Sequence, residues 1–199
     1  LSEHLFEDYR LAAYWKLDEI EGDVAHDSAS ENDAIVMGNA VWQSEEGKVG
    51  GALKLDGIDD HISTPFALNP ADGDFSVFAW VKGGAPGQVI VSQQGGADWL
   101  MADLAGGALR TGLRIPATTG RGATPPGPPL ISSTVVTGDD WHLVGFVRDA
   151  VDRILYVDNI EVARDTAETL ESAETGLYIG AASTLEPVGF FSGLVDDVR

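Results

Sequence analysis

Short apolar runs alternate with polar residues along most of the chain and are separated by clusters of Gly, Asp, Asn and Pro. Apolar residues at every second position are typical of strands with one buried face, and such clusters are typical of turns. The pattern therefore predicts an all-β protein built from many short strands. The candidate strands are residues 12–17, 33–38, 51–56, 61–64, 75–82, 88–93, 99–104, 109–115, 131–136, 141–149, 153–158, 161–165, 177–182 and 190–199.

Two segments give the sharpest local expectations. In "RILYVDNIEVAR" the pair Asp158 and Asn159 lies between two alternating runs, and both residue types tolerate the positive φ of a two-residue hairpin turn. Residues 153–158 and 160–165 should therefore pair antiparallel. The strand 75–82 is apolar on one face and half apolar on the other, which is typical of the middle of a sheet.

Two segments should lie outside the sheets. Residues 114–131 contain five prolines and three glycines, which predicts a long loop, and this composition favours disorder over a functional role. Residues 166–175 carry one large apolar residue, so a single helical turn or a polar loop is expected.

The charge and composition of the chain disfavour some classes of binding partner. The chain has 199 residues, a length typical of one domain, and a formal net charge of −20, which disfavours nucleic acid and favours cations such as Ca²⁺. It has no cysteine, which excludes disulfides and thiolate chemistry. No apolar run is long enough to span a bilayer. Residues 1–10 are polar and charged, and we expect them to be a linker from a preceding domain of a longer, exported protein.

Several segments, taken in order, resemble the laminin G-like, concanavalin A-like jelly-roll family. They are "LAAYWKLDEIEGDVAHDSASENDAIV" (11–36), "VWQSEEGKVGGALKLDGIDDHIST" (41–64), "FSVFAWVK" (75–82), "WHLVGFVRD" with "RILYVDNIEVAR" (141–164), "LYIGAA" (177–182) and "FSGLVDDVR" (191–199). The resemblance implies that residues 11–199 form one jelly-roll sandwich of two antiparallel sheets. It also implies a secreted or cell-envelope protein.

The resemblance further implies a structural calcium ion at one edge of the sandwich. Its ligands would be Asp27, the carbonyl or side chain of Asn32, and the pair Asp196 and Asp197. Asp196 shares its parity with Leu194 and Val198, so we expect it to point inward, where a carboxylate needs a partner or a metal.

The stretch "LDGIDDHI" (55–62) has two interpretations. Asp56 and Gly57 supply turn geometry, with Asp59 and Asp60 capping the next strand. Alternatively, Asp59 or Asp60 supplies a third carboxylate to the calcium ion, because Ca²⁺ prefers such oxygen ligands. Considered without the distant aspartates, the stretch favours the turn.

A glycan-binding site would need an exposed aromatic ring with polar neighbours. Trp99 follows a glycine-rich turn and lies outside the segments that match the family. It is therefore the candidate stacking residue, with Asp98 and Gln94 beside it. The alternative places Trp99 in the interior of the sandwich.

We expect a non-catalytic recognition or adhesion module that binds a glycan or an envelope protein. The same fold also carries glycoside hydrolases and polysaccharide lyases, so an enzyme is the alternative. A retaining hydrolase needs two carboxylates about 5–5.5 Å apart. The closest pair by spacing, Glu19 and Glu21, lies in a turn rather than on a strand, which disfavours catalysis.

Overall fold

The protein is a sandwich of two antiparallel sheets in a computed structural model that describes residues 11–199. The first sheet has eight strands in the order β1-β2-β5-β14-β7-β8-β9-β10. They are β1 (Val24–Ala25), β2 (Ala34–Met37), β5 (His61–Ser63), β7 (Val89–Gln93), β8 (Asp98–Ala102), β9 (Ala108–Thr111), β10 (Leu130–Val135) and β14 (Leu177–Ile179). The predicted jelly-roll sandwich is confirmed. The first ten residues, interpreted as a linker, lie outside the described part.

The second sheet has seven strands in the order β13-β12-β11-β6-β15-β4-β3. They are β3 (Val41–Gln43), β4 (Ala52–Asp56), β6 (Phe75–Gly83), β11 (Gly138–Asp149), β12 (Asp152–Val157), β13 (Ile160–Thr166) and β15 (Ser192–Asp196). Among residues 11–199 the helical structure amounts to one 3₁₀ turn, Pro187–Gly189, and residues 166–175 form a loop with no helical turn. In this described part, no helix has the length and apolar character that crossing a membrane requires.

The core lies between the sheets and is formed by alternate residues of the strands. In the central strand β6, Val77, Ala79 and Val81 are buried in it. Because side chains alternate across a strand, Ser76, Phe78, Trp80 and Lys82 point to the opposite side of the seven-stranded sheet. We call this side, turned away from the core, the outer face.

The Asp158–Asn159 hairpin forms as predicted. Both residues have positive φ, 53° and 65°, and β12 pairs antiparallel with β13 directly across them. The predicted strand over residues 12–17 is reduced to Trp15, which bridges Val198 on one side and Asp27 on the other. Trp15 is buried and joins the edges of the two sheets.

The Pro-rich segment 114–131 has a defined conformation, contrary to the disorder that its composition favours. The Gly127 amide donates to the Ile115 carbonyl at 2.9 Å, and the Thr124 amide donates to the Thr118 hydroxyl at 2.8 Å. The guanidinium of Arg153 is 2 % exposed and donates to the Pro128 carbonyl at 3.3 Å. The first two hydrogen bonds close the loop on itself, and the Arg153 hydrogen bond ties it to strand β12 of the sandwich.

Candidate functional site

The outer face carries aromatic rings on neighbouring strands. Phe78 and Tyr156 are both in register with Gly145 of β11, and their ring centroids are 6.3 Å apart. A Cβ at Gly145 would collide with the Phe78 ring, so glycine at this position allows the ring to lie against the backbone. Two residues further along β6, Trp80 lies on the same face and is half-buried.

A groove of about 1100 Å³ opens at the Phe78 end of this face and reaches inward between the two sheets, where the core residues Trp15, Trp99 and Leu177 line it. One wall is the segment 65–74 between β5 and β6, where the Phe66 ring is 47 % exposed. Aromatic rings and polar side chains line the groove together. The polar members are Asn69, Asp72, Asp74, Ser76, Arg148, Asp149, Asn159 and Arg199. A few polar groups placed among apolar walls are typical of small-molecule and sugar sites.

Hydrogen bonds to distant segments hold the wall of the groove in place. The Asn69 side chain donates to Asp72 and to Ser172, both at 3.1 Å, and its oxygen accepts from the Ala173 amide at 3.2 Å. Asp74 accepts from the Ala150 amide at 2.7 Å, which ties the wall to the turn after β11. Phe66 is therefore presented from a fixed segment rather than from a free loop.

Arg199 lies beside Phe78 in the groove. Its backbone amide donates to the Phe78 carbonyl at 3.0 Å and its carbonyl accepts from the Phe78 amide at 2.7 Å. The guanidinium carbon is 5.9 Å from the centre of the Tyr14 ring. Arg199, which lines the groove, thus has its guanidinium beside an aromatic ring that lies outside the lining.

The predicted calcium ligand Asp27 is saturated by protein hydrogen bonds. Its carboxylate accepts from the Tyr14 and Ala29 amides at 2.8 and 2.9 Å and from the Ser30 hydroxyl at 2.6 Å. Asn32 adds a backbone bond at 3.2 Å. Burial acts to raise the pKa of Asp27, but these four hydrogen bonds together lower it below its ordinary value. Asp27 organises its loop without requiring a metal.

Asp196 is fully buried, as predicted, but the expectation that it points toward the core is wrong. Val195 faces the core, and Asp196 pairs with Trp80 on the outer face. Asp197 has a φ of 51°, and this irregularity returns Val198 to the core side, so simple alternation through the segment fails. Asp196 is buried beneath loop 44–51 rather than in the core.

The carboxylate of Asp196 is only half satisfied. Its Oδ2 accepts from the Val49 amide at 2.8 Å, whereas its buried Oδ1 has no partner among the described residues. Burial raises the pKa of Asp196 to about 6. The negative charges of Asp197 and Asp18 also raise this pKa, whereas hydrogen bonding from the backbone of loop 44–51 lowers it. An unpartnered buried oxygen beside two further carboxylates suits a cation.

Asp18 is a member of this acidic group that sequence reasoning missed. Its carboxylate accepts from the Gly51 amide at 2.6 Å, and Gly50, with a φ of 76°, lies directly against it. The signal was the glycine-rich stretch "GKVGG", which allows the loop to approach both Asp18 and Asp196. Asp197 is also buried and accepts a hydrogen bond from the Tyr14 hydroxyl.

A second acidic group is the turn that crosses from β4 in one sheet to β5 in the other. Carboxylate oxygens of Asp56, Asp59 and Asp60 lie within 4.8 Å of one another, so this group could hold a metal ion. Asp60 is buried and also has a structural role, because it accepts from the Asn39 amide at 2.6 Å and the Asp56 amide at 3.0 Å. The hydrogen bonds of Asp60 agree with the turn interpretation of "LDGIDDHI", and the carboxylates of Asp59 and Asp60 group with Asp56 rather than with Asp196.

Trp99, the predicted stacking residue, lies at the inner end of the groove but does not expose its ring. It is 1 % exposed and packs in the core against Phe75, with ring centroids 5.3 Å apart. Asp98 accepts from the Ser183 amide at 3.0 Å, and the Gln94 side chain donates to the Ser63 hydroxyl at 3.1 Å. β8 is buried on both faces, so its aromatic residue fills the interior.

The alternative hydrolase pair lies away from the groove. Glu19 accepts from the His26 amide at 2.8 Å, and Glu21 is exposed. Neither is among the residues that line the groove.

Comparison with known families agrees with this architecture. Residues 56–199 match a family model, Laminin_G_3, described as the concanavalin A-like lectin/glucanases superfamily. A search of curated proteins finds no match for the chain.

Solved structures with similar folds include proteins in complex with sugars. Domain 4 of AbnA, a GH43 extracellular arabinanase from Geobacillus stearothermophilus in complex with arabinotriose, has a TM-score of 0.65 and 17 % identity, with 94 % of this chain and 90 % of that domain covered. The binding domain of botulinum neurotoxin DC in complex with SialylT has a TM-score of 0.65 and 12 % identity, with 97 % of this chain and 47 % of that chain covered. Trypanosoma rangeli sialidase in complex with sialic acid has a TM-score of 0.56 and 19 % identity, with 94 % of this chain and 30 % of the sialidase covered. At these identities the likeness shows the fold alone, and the chain spans less than a third of the sialidase.

Proposed function

Because the chain belongs to the concanavalin A-like lectin/glucanase superfamily, we propose that it is a non-catalytic glycan-recognition module of an exported protein. The observation that carries the proposal is the groove on the outer face. There an exposed ring, Phe66, and a half-buried ring, Phe78, stand among amide, carboxylate and guanidinium groups. Sugar rings pack on such aromatic faces while their hydroxyls bond to polar neighbours.

The comparisons support this choice over a catalytic role. The arabinanase relative is matched over nearly the whole of a separate domain, and that domain is in complex with arabinotriose. Among the groove carboxylates, Asp72 and Asp74 are hydrogen-bonded to the loop and turn that they hold in place. Their visible role is to shape the groove.

Replacing Phe66 with alanine tests the proposal. We expect the wild type to be retained by at least one polymer in a panel of immobilised polysaccharides. Phe66→Ala should weaken that retention about tenfold, because stacking on one ring contributes roughly 1 kcal/mol or more. The melting temperature should stay within about 2 °C, since nearly half of the ring is already exposed.

Leu104→Ala is the matched control, because Leu104 is exposed and lies outside the groove lining. Equal retention of wild type and Phe66→Ala would remove the groove from the proposal. Release of reducing sugar from any polymer of the panel would favour the hydrolase alternative. Retention by no polymer would favour binding to an envelope protein.

We also propose a structural calcium ion at Asp196. The unpartnered Oδ1 of Asp196 and the nearby Asp18 fit a hard cation. When bound, Ca²⁺ would supply the positive charge that this acidic group lacks and would fix loop 44–51 on the outer face. Of the ligands that the resemblance implies, we keep Asp196 and Asp197 and leave out Asp27 and Asn32, because the Asp27 carboxylate is already saturated.

A further inference from the structure

All four lysines of this acidic chain lie on or beside the outer face. Lys54 of β4 and Lys82 of β6 are both in register with Leu194 of β15, so the three side chains form one row across three strands. The Lys48 amine is 5.0 Å from the centre of the Trp80 ring in the next row. Lys16 extends the group toward Tyr14, whose ring centre is 5.9 Å from its amine.

These lysines differ from the arginines in their partners. Arg110, Arg153 and Arg164 each lie within 4 Å of a carboxylate. Within residues 11–199, no lysine amine has a carboxylate at that distance, although the chain carries 32 acidic residues. Among the residues that the structure describes, the lysine charges of this face therefore form no ion pairs.

The buried Asp196 accounts for the position of Lys48. Its carboxylate accepts a hydrogen bond from the amide of Val49, the residue next to Lys48, at 2.8 Å, which fixes loop 44–51 over β15 and β6. Asp196 is also in register with Trp80, so the anchored loop holds the Lys48 amine above the Trp80 ring. A fixed loop therefore brings a cation onto an aromatic surface that already belongs to the sheet.

The row of lysines is continuous with the groove. Lys82, Trp80 and Phe78 are alternate residues of β6 on the same face, and Phe78 lines the groove. Lys54 and Lys82 are two strands apart, which separates their Cα atoms by roughly 9–10 Å. The outer face thus carries aromatic rings along strand β6 and separated lysines across the strands. This arrangement matches a chain of sugars that carries spaced negative charges.

We propose that this face binds an acidic polysaccharide, with sugar carboxylate or sulfate groups on Lys48, Lys54 and Lys82 and a sugar ring over Phe78. The proposal rests on the glycan-recognition function above and specifies its substrate class. The net charge of −20 repels polyanions, so only a local group of unpaired cations can bind one. A neutral glycan needs no such group.

The double variant Lys54→Gln/Lys82→Gln tests the proposal against four immobilised polymers. Polygalacturonate carries carboxylates, dextran sulfate carries sulfates, and dextran and arabinan are neutral. We expect wild-type retention on at least one acidic polymer and a loss of about tenfold or more in the variant, because charge-assisted hydrogen bonds are lost. The better-retained acidic polymer identifies the anionic group. Lys54→Arg/Lys82→Arg should keep most of the retention.

Arg114→Gln/Arg121→Gln is the matched control, since it removes the same charge from the Pro-rich loop. An equal loss in this control would overturn the proposal, because the effect would then come from net charge. Retention on neutral polymers alone would overturn it and leave the glycan-recognition function standing. Retention on none of the four polymers, with binding to a single-stranded oligonucleotide instead, would overturn both.

Discussion

Replacing Trp99 with alanine is expected to lower the free energy of unfolding by about 3–5 kcal/mol, the usual cost of removing a large buried aromatic side chain. Trp99 is 1 % exposed and packs against Phe75 in the centre of the sandwich. At this chain length the loss corresponds to a fall of roughly 6–20 °C in melting temperature. Thermal unfolding followed by circular dichroism measures it.

Two further variants make the Trp99 result specific. Trp99→Phe should lose much less stability, because it keeps most of the apolar volume and removes an indole N–H that has no partner among the described residues. Leu104→Ala, at a position 68 % exposed, should leave the melting temperature nearly unchanged. An unchanged melting temperature for Trp99→Ala would place this residue at the surface and contradict the assignment of β8 to the core.

Calcium is expected to stabilise the wild type by about 2.7 kcal/mol when its concentration is 100 times the Kd. The melting temperature should rise by about 5–10 °C relative to EDTA at this chain length. Asp196→Asn should remove most of this response, because the unpartnered Oδ1 of Asp196 is the proposed ligand. Asp59→Asn is the control for the turn at Asp56–Asp60 and should keep the response.

The pH dependence in EDTA provides a second readout of Asp196. Its folded pKa of about 6 lies above the ordinary value of 3.8, so the folded state holds this proton more tightly than the unfolded chain. The stability contributed by Asp196 is therefore present at acidic pH and is lost as the pH rises from about 4 through 6. Compared with the wild type, Asp196→Asn should therefore gain stability at pH 7 relative to pH 4.

A calcium response that is lost in Asp59→Asn but kept in Asp196→Asn would contradict the Asp196 site and place the ion at the Asp56–Asp60 turn.

Local patterns were sufficient to predict much of the fold. Alternation over 75–82 placed β6 at the centre of a sheet, and Asp158–Asn159 predicted the hairpin between β12 and β13. Both predictions depend on neighbours in sequence, where side-chain period and backbone preference decide the outcome.

The site could be predicted only in part, because it depends on contacts between distant segments. The orientation of Asp196 was missed because residue 197 breaks the alternation and a loop 147 residues away in sequence covers the carboxylate. Trp99 was misplaced because a glycine-rich turn resembles a surface feature, whereas its strand is covered on both faces. Phe66 was missed because its exposure over the groove depends on the Asn69 contacts with residues 172 and 173.

Nuclear magnetic resonance mapping of glycan binding tests the central claim most directly. Labelled protein would be titrated with oligosaccharides cut from each polymer of the panel. The account predicts chemical-shift changes concentrated in residues 66–78, in the Trp80 indole and in Arg199, all on the groove and the outer face. Changes confined to the eight-stranded sheet or to the Pro-rich loop, or no change with any oligosaccharide, would contradict it.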